Sequence, residues 1–282
     1  MRRFDRRTAL GLLLGAGLKG ATLDRFFGDT RGTAVLLDLR TRKVIGAHQP
    51  DLARRWLLPP GSTMKPFSLM ALLESNKLRA DEQFPCPIKL MLAGRSFACS
   101  HPPVGIPMQA DSAIAYSCNN FVAHFAKRFE ADELARALTR ERFPSKTGLL
   151  GADEVVGRVQ PAGDVEGRQL QAIGEAHVLV TPIGLLAAYS GLASKAAGPI
   201  LEGLEGAVEY GTAQLAAVPG VKVAGKTGTV IVSGAHVVWF AGFAPSRAPE
   251  VAVVVAAQGR SGAMDAAPIG GRILTARFEG KL

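Results

Sequence analysis

Three short runs of the chain carry residue types suited to acyl chemistry, and each is spaced for it. Ser62-Thr63-Met64-Lys65 places a hydroxyl and an amine at i and i+3, which share one face of a helix, so the amine reaches the hydroxyl oxygen. A serine is a poor nucleophile until a base takes its proton, and a lysine that is desolvated or set beside another cation is neutral often enough to be that base. Ser117-Cys118-Asn119 holds a hydroxyl and an amide two positions apart, able to relay a proton and to hold a peptide group. Lys226-Thr227-Gly228-Thr229 sets a cation and two hydroxyls around a glycine, where a backbone can come close and a carboxylate can lie along a strand. Each run also has a plainer reading: an exposed surface pair, a helix cap and a solvated edge strand, respectively. Ser-x-x-Lys arises by chance about once in a chain of this length. Here it occurs once, directly after Pro59-Pro60-Gly61.

The elements that must position these runs follow from periodicity. Residues 33–39 and 44–48 read as two strands joined by a polar turn, a hairpin that begins a sheet. Pro59-Pro60-Gly61 breaks the chain, and Leu69, Leu72 and Leu73 continue a helical period from Ser62 to Asn76, so Ser62 stands at a helix N-terminus, where backbone N–H groups and positive potential favour an oxyanion. Helical segments are predicted over 111–129, 131–138 and 181–192, the last opened by Thr181-Pro182. From Lys222 the texture turns to β, over 222–232, 237–243 and 251–256, before a final helix over 266–278. Alternation puts Lys226 and Gly228 on the strand face opposite Thr227 and Thr229. Strands at both ends with helices between them predict an α+β fold whose sheet joins the two termini, with a helical subdomain at roughly 78–192. A second Lys-Thr-Gly, Lys146-Thr147-Gly148, lies in a turn-rich stretch after Phe143-Pro144-Ser145 and is rejected as the catalytic copy.

In this order, S-T-M-K, S-C-N and K-T-G-T resemble the signature of penicillin-binding proteins and serine β-lactamases. Leu57-Leu-Pro-Pro-Gly-Ser-Thr-Met-Lys-Pro-Phe67 looks like the transpeptidase form of the nucleophile segment, and Ser117 to Phe121, Ala172 to Pro182 and Trp239 to Pro245 are similar to further blocks of that domain. The resemblance spans roughly Gly32 to Leu274. It implies a DD-peptidase/β-lactamase-like fold and a D,D-transpeptidase acting on D-Ala-D-Ala stem peptides and inhibited by β-lactams, with no cofactor. By the same resemblance Ser62 is the nucleophile, Lys65 its base and Ser117 the proton relay to the departing D-alanine. Asn119 would hold the substrate peptide and Lys65. Lys226, Thr227 and Thr229 would bind the terminal carboxylate beside Gly228, and the backbone N–H groups of Ser62 and Thr229 would form the oxyanion hole. Family members commonly carry Gln-Gly where this chain has Glu175-Ala176. D,D-carboxypeptidase and serine β-lactamase are the alternatives within the superfamily; from another class, a non-catalytic β-lactam or peptidoglycan sensor would keep the same motifs.

Composition bounds the setting. The 282 residues, 48% hydrophobic and 20% charged, suffice for one large core, a catalytic domain over 30–282. Of the net charge of +9, +4 falls within the first nineteen positions, and no basic block is interleaved with aromatics, so nucleic acid is not expected as a partner. Arg2, Arg3, Arg6 and Arg7 precede the apolar run 9–18, so residues 1–22 read as a twin-arginine-like or ordinary secretory signal, or, if uncleaved, a weak membrane anchor, predicting work outside the cytoplasm. The run is about half the ~20 residues that span a bilayer. Of the three cysteines, Cys86 and Cys99 flank a turn-rich stretch and could pair across a hairpin, whereas Cys118 reads as a small buried hydrophobe. With no C-x-x-C and five scattered histidines, no metal site is expected.

Overall fold

The computed structural model describes residues 21–103 and 105–282; the expected export segment lies outside them except for its last two residues. The N-terminal part contributes β1 (Ala21–Thr22), β2 (Gly32–Asp38) and β3 (Lys43–His48), followed by helix α1 (Pro50–Arg55). A single 3-10 turn, Gly61–Met64, runs straight into α2 (Lys65–Glu74). Then come a small ribbon of β4 (Met91–Leu92) and β5 (Arg95–Ser96), and helices α3 (Ala110–Ala115), α4 (Asn119–Ala126) and α5 (Glu133–Arg140). A second ribbon pairs β6 (Arg158–Val159) with β7 (Val178–Leu179) around α6 (Val165–Ala172). The chain continues through α7 (Pro182–Ala193) and α8 (Gly198–Glu209), and ends in β8 (Ala224–Val232), β9 (Ala235–Ala244), β10 (Val251–Gln258) and α9 (Ala267–Phe278).

Six strands form one sheet in the order β1-β3-β2-β10-β9-β8. Every pairing is antiparallel except the short β1–β3 contact, and the β2–β10 pair joins the two chain ends, as the strand pattern predicted. Both faces are covered, which explains why the strands read as nearly continuous apolar runs. Along β9, Val237, Trp239, Ala241 and Phe243 enter one core and Val238, Phe240 and Ala244 the other. The first core also holds α2, α4 and α7; the second is closed by α9.

Helix α7 is apolar all round and almost wholly buried, as expected of a helix sandwiched between a sheet and a helical layer. Its N-cap is the predicted Thr181, whose hydroxyl accepts from the Gly184 N–H at 3.2 Å. From its middle, the buried Tyr189 hydroxyl donates to the Thr63 carbonyl at 2.9 Å and so ties α7 to the turn that carries Ser62.

The sequence differs from the structure most over 111–129, read as one helix but broken into α3 and α4 at Tyr116-Ser117-Cys118. Helices α1, α6 and α8 were not foreseen, being short or interrupted by glycine. Within 78–192 helices α3 to α7 alternate with the two ribbons and with long loops, and α7, at the end of the stretch, packs on the central sheet.

Tyr189→Phe keeps the ring and removes the donor, leaving the buried Thr63 carbonyl unpartnered. The expected loss is about 1–3 kcal/mol of stability; an unchanged urea midpoint would show that the carbonyl finds another donor.

Candidate active site

The turn carrying Ser62 is wedged between β8 and the loop before β7. Gly61 has φ +53°, a left-handed conformation suited to glycine, and its N–H donates to the Gly174 carbonyl at 3.0 Å. A Cβ on Gly61 would sit 2.7 Å from Val230 Cγ1 and one on Gly174 would sit 2.1 Å from the Gly61 carbonyl oxygen, so neither position has room for a side chain. Trp239 Nε1–H donates to the Pro59 carbonyl at 3.1 Å and fixes the approach.

Lys65 is 0% exposed. Its ammonium donates to the Ser117 carbonyl at 2.6 Å, the Ser117 hydroxyl at 3.1 Å and Asn119 Oδ1 at 2.6 Å. Burial pushes its pKa down to about 8, opposed by the nearby thiols of Cys118 and Cys99 and by the Glu175 carboxyl. Ser62, half-buried, makes no side-chain hydrogen bond among the described residues and lines the cleft with its hydroxyl uncommitted.

The break between α3 and α4 places the second motif. Ser117 has φ +57°, an uncommon backbone conformation for a residue with a side chain, and it turns both its carbonyl and its hydroxyl towards Lys65. Asn119, the first residue of α4, gives its oxygen to Lys65, and its amide donates to the Phe97 carbonyl at 2.8 Å.

The third motif lies on β8, an edge strand of the sheet, and the nucleophile turn packs against the face of β8 that carries Gly228 and Val230. A Cβ on Gly228 would lie 3.0 Å from the Pro60 oxygen, so this glycine is what lets strand and turn close up. Lys226 is also 0% exposed and bonds to the Thr212 hydroxyl at 3.4 Å and the Thr227 carbonyl at 3.2 Å, with no carboxylate partner among the described residues. Burial, then the charge of Lys65, depress its pKa well below the usual lysine range. Thr227 Oγ1 bonds to Thr212 Oγ1 at 2.9 Å, and Thr229 Oγ1 accepts from the Gly262 N–H at 2.9 Å.

Ser62, Ser117, Asn119, Thr227, Gly228 and Thr229 therefore line one cleft of about 330 Å³, with the two lysines buried behind its walls. Ser100, Thr212, Ser261 and Ala263 complete it and were not singled out from sequence, since hydroxyl residues in loops carry no distinguishing pattern. The rejected Lys146-Thr147-Gly148 is elsewhere. Its Thr147 hydroxyl and the N–H groups of Thr147 and Gly148 surround the Glu154 carboxylate, closing a surface turn.

Glu175 follows Gly174; burial raises its carboxyl pKa, opposed by Arg95 and Lys65. The possible Cys86–Cys99 disulfide is corrected: the sulfurs are 3.6 Å apart and both thiols are free, whereas a disulfide needs about 2.05 Å. Cys118, expected as a buried hydrophobe, is buried, but beside the other two thiols and His101, under the Ser117 turn. No metal site was expected from motif spacing; the fold nevertheless brings one ligand atom each of Cys86, Cys99, His101 and Cys118 within 4.8 Å of one another.

The family model of the penicillin-binding protein transpeptidase domain matches residues 32–275. The peptidoglycan D,D-transpeptidase PbpA of Mycobacterium tuberculosis is 28% identical over 343 aligned residues, covering 90% of this chain and 68% of that protein. The stage V sporulation protein D of Bacillus subtilis is 28% identical over 268, covering 76% of this chain and 41% of that one. Among solved structures, Pseudomonas aeruginosa PBP2 superposes with a TM-score of 0.81 at 21% identity over 90% of this chain and 75% of that one. A peptidoglycan glycosyltransferase from Burkholderia ambifaria superposes with a TM-score of 0.80 at 20% identity over 92% of each chain. With its motifs in family order around one cleft and the family model matched over most of its length, the chain belongs to the penicillin-binding protein transpeptidase family.

Proposed function

We propose that this chain is a peptidoglycan D,D-transpeptidase that works outside the cytoplasm through a Ser62 acyl-enzyme. The observation that carries the reading is the convergence on one cleft of an uncommitted serine, a buried lysine with its pKa near 8, and a second buried lysine without an anionic partner among the described residues. No helix among the described residues is long and apolar enough to cross a membrane.

The chemistry follows from charge and position. With a pKa near 8, Lys65 is neutral in an appreciable fraction of molecules near neutral pH and can take the Ser62 proton. The serine oxygen then attacks the penultimate D-alanine carbonyl carbon of the stem peptide, and the N–H groups of Ser62 and Thr229 receive the oxyanion. The bond to the terminal D-alanine breaks, and the proton passes from Lys65 through the Ser117 hydroxyl, 3.1 Å away, to the leaving amine. An acceptor amine completes transpeptidation by the reverse path. The charged form of Lys226, disfavoured by burial and by Lys65, would be stabilised when the substrate's terminal carboxylate arrives, with Thr227 and Thr229 orienting that carboxylate. Asn119 holds Lys65 and the substrate's peptide group.

Three measurements test this. Intact mass after adding benzylpenicillin is expected to show one covalent adduct persisting for many minutes, absent in Ser62→Ala; rapid catalytic consumption of the penicillin with only a fleeting adduct would instead make the enzyme a β-lactamase. Because the base must be neutral, the acylation rate is expected to rise as pH increases through about 8, and a flat profile there would remove Lys65 from that role. Lys226→Met removes the charged contact to the carboxylate and is expected to lower the second-order acylation constant about 10- to 100-fold, or ~1.5–3 kcal/mol; a change under about twofold would place carboxylate recognition elsewhere.

A further inference from the structure

Beneath the Ser117 turn the loop spanning the β4–β5 ribbon meets the start of α4, and four soft ligand atoms face one another there. Cys86 Sγ is 3.6 Å from Cys99 Sγ, Cys99 Sγ is 3.7 Å from Cys118 Sγ, and Cys86 Sγ is 3.6 Å from His101 Nε2. All four atoms lie within 4.8 Å of one another. A tetrahedral zinc, with Zn–S of about 2.3 Å and Zn–N of about 2.05 Å, sets its ligand atoms about 3.6–3.8 Å apart. Thus three of the spacings already match the edges of such a tetrahedron. We propose that Cys86, Cys99, His101 and Cys118 bind one zinc ion, in a closed three-thiolate, one-imidazole structural site that holds the Ser117–Asn119 turn in place.

The surroundings suit thiolates. Cys99 Sγ accepts from the Asn119 N–H at 3.2 Å and the Asn120 amide at 3.3 Å, Cys86 Sγ from the Ile88 N–H at 3.4 Å, and Cys118 Sγ from the Phe121 N–H at 3.4 Å. Such donors stabilise sulfur that carries negative charge. The imidazole is oriented for the metal as well: its Nδ1–H donates to the Pro102 carbonyl at 2.8 Å, which leaves the Nε2 lone pair directed at the sulfurs. Four protein ligands fill a tetrahedral sphere and leave no position for water or substrate, which marks a structural rather than a catalytic zinc.

The site reaches the active centre through two short links. Cys118 is the residue between Ser117 and Asn119, and the Asn119 N–H rests on Cys99 Sγ while its side chain holds Lys65. A metal anchoring both sulfurs would keep Ser117 in its left-handed conformation and Asn119 against Lys65. Each thiol must lose its proton to bind, and as zinc-bound thiolates the three sulfurs would also be kept from pairing oxidatively in an extracytoplasmic setting.

The test uses the full chain, purified without a polyhistidine tag, with zinc measured by elemental mass spectrometry. About one zinc per chain is expected, with most of it lost in Cys86→Ser and in His101→Ala. Should these variants fail to fold, cobalt exchanged into the wild-type protein reports the same site. A thiolate-to-cobalt charge-transfer band with intense visible absorption supports three thiolates in a tetrahedral sphere, and the weak spectrum of a hexaaquo-like ion overturns it. Chelation under reducing conditions is expected to slow acylation by benzylpenicillin about tenfold or more, with recovery on adding zinc. Wild-type protein that neither carries nor takes up zinc when reduced, variants that keep it, or a Cys86–Cys99 disulfide in the non-reduced peptide map would each overturn the proposal. The outcome is independent of the catalytic reading. Zinc-loaded protein without a Ser62 adduct would sink only the latter, and acylation by zinc-free, zinc-refusing protein only the former.

Discussion

The burial of Lys65 is the constraint around which the site is built. An ammonium shut away from water costs several kcal/mol unless its donors are met, and among the described residues the acceptors that meet this one are the Ser117 carbonyl, the Ser117 hydroxyl and Asn119 Oδ1. To supply them the chain must stop being a helix at Tyr116, place Ser117 at positive φ and restart at Asn119. A continuous helix over 111–129 would keep the Ser117 carbonyl inside its own hydrogen-bond ladder and deny it to the lysine. The same burial draws the amine's pKa towards neutrality, so the feature that is costly for folding is the one that makes the group a base.

The second lysine extends this logic to the sheet. Lys226 lies on an edge strand, where a side chain would ordinarily reach solvent, yet it is fully buried and bonds to Thr212, just beyond α8. Closing the turn on that edge requires glycine at three places: Gly61, Gly174 and Gly228. Each omits a Cβ where two backbones meet. The result is a cleft backed by two buried amines, each of which disfavours charge on the other, and an anionic ligand would favour that charge.

Rigidity comes from behind. Tyr189 on α7 holds the Thr63 carbonyl, Ser68 on α2 donates to the Ala172 carbonyl at 2.8 Å, and Trp239 holds the Pro59 carbonyl. The sheet, through Trp239, and α7, through Tyr189, therefore each contribute one polar link to the segment carrying Ser62, while Ser68 ties α2 to the end of α6; such bonds hold geometry best in the dry interior.

The sequence alone determined the parts that depend on neighbours along the chain. The hairpin of β2 and β3, the three C-terminal strands, the helix starting beyond Pro59-Pro60-Gly61, the Thr181 cap and the spacing of the three motifs are set by periods of 2 and 3.6 and by turn chemistry, all local quantities. Family resemblance then assigned roles to Ser62, Lys65, Ser117, Asn119, Lys226, Thr227, Gly228 and Thr229, and the fold puts the six that reach the surface around one cleft. Only tertiary structure decided the break at Ser117, because its cause is a lysine 52 residues earlier in the chain. Likewise it decided the part of Thr212 in the cleft and the meeting of Cys86, Cys99, His101 and Cys118. Those four have no metal-binding spacing along the chain, and the sulfur of Cys118 joins the others only because the loop carrying them folds back over the start of α4. A side chain's environment is fixed by which distant surfaces share a core, and a period read along one segment contains no record of that.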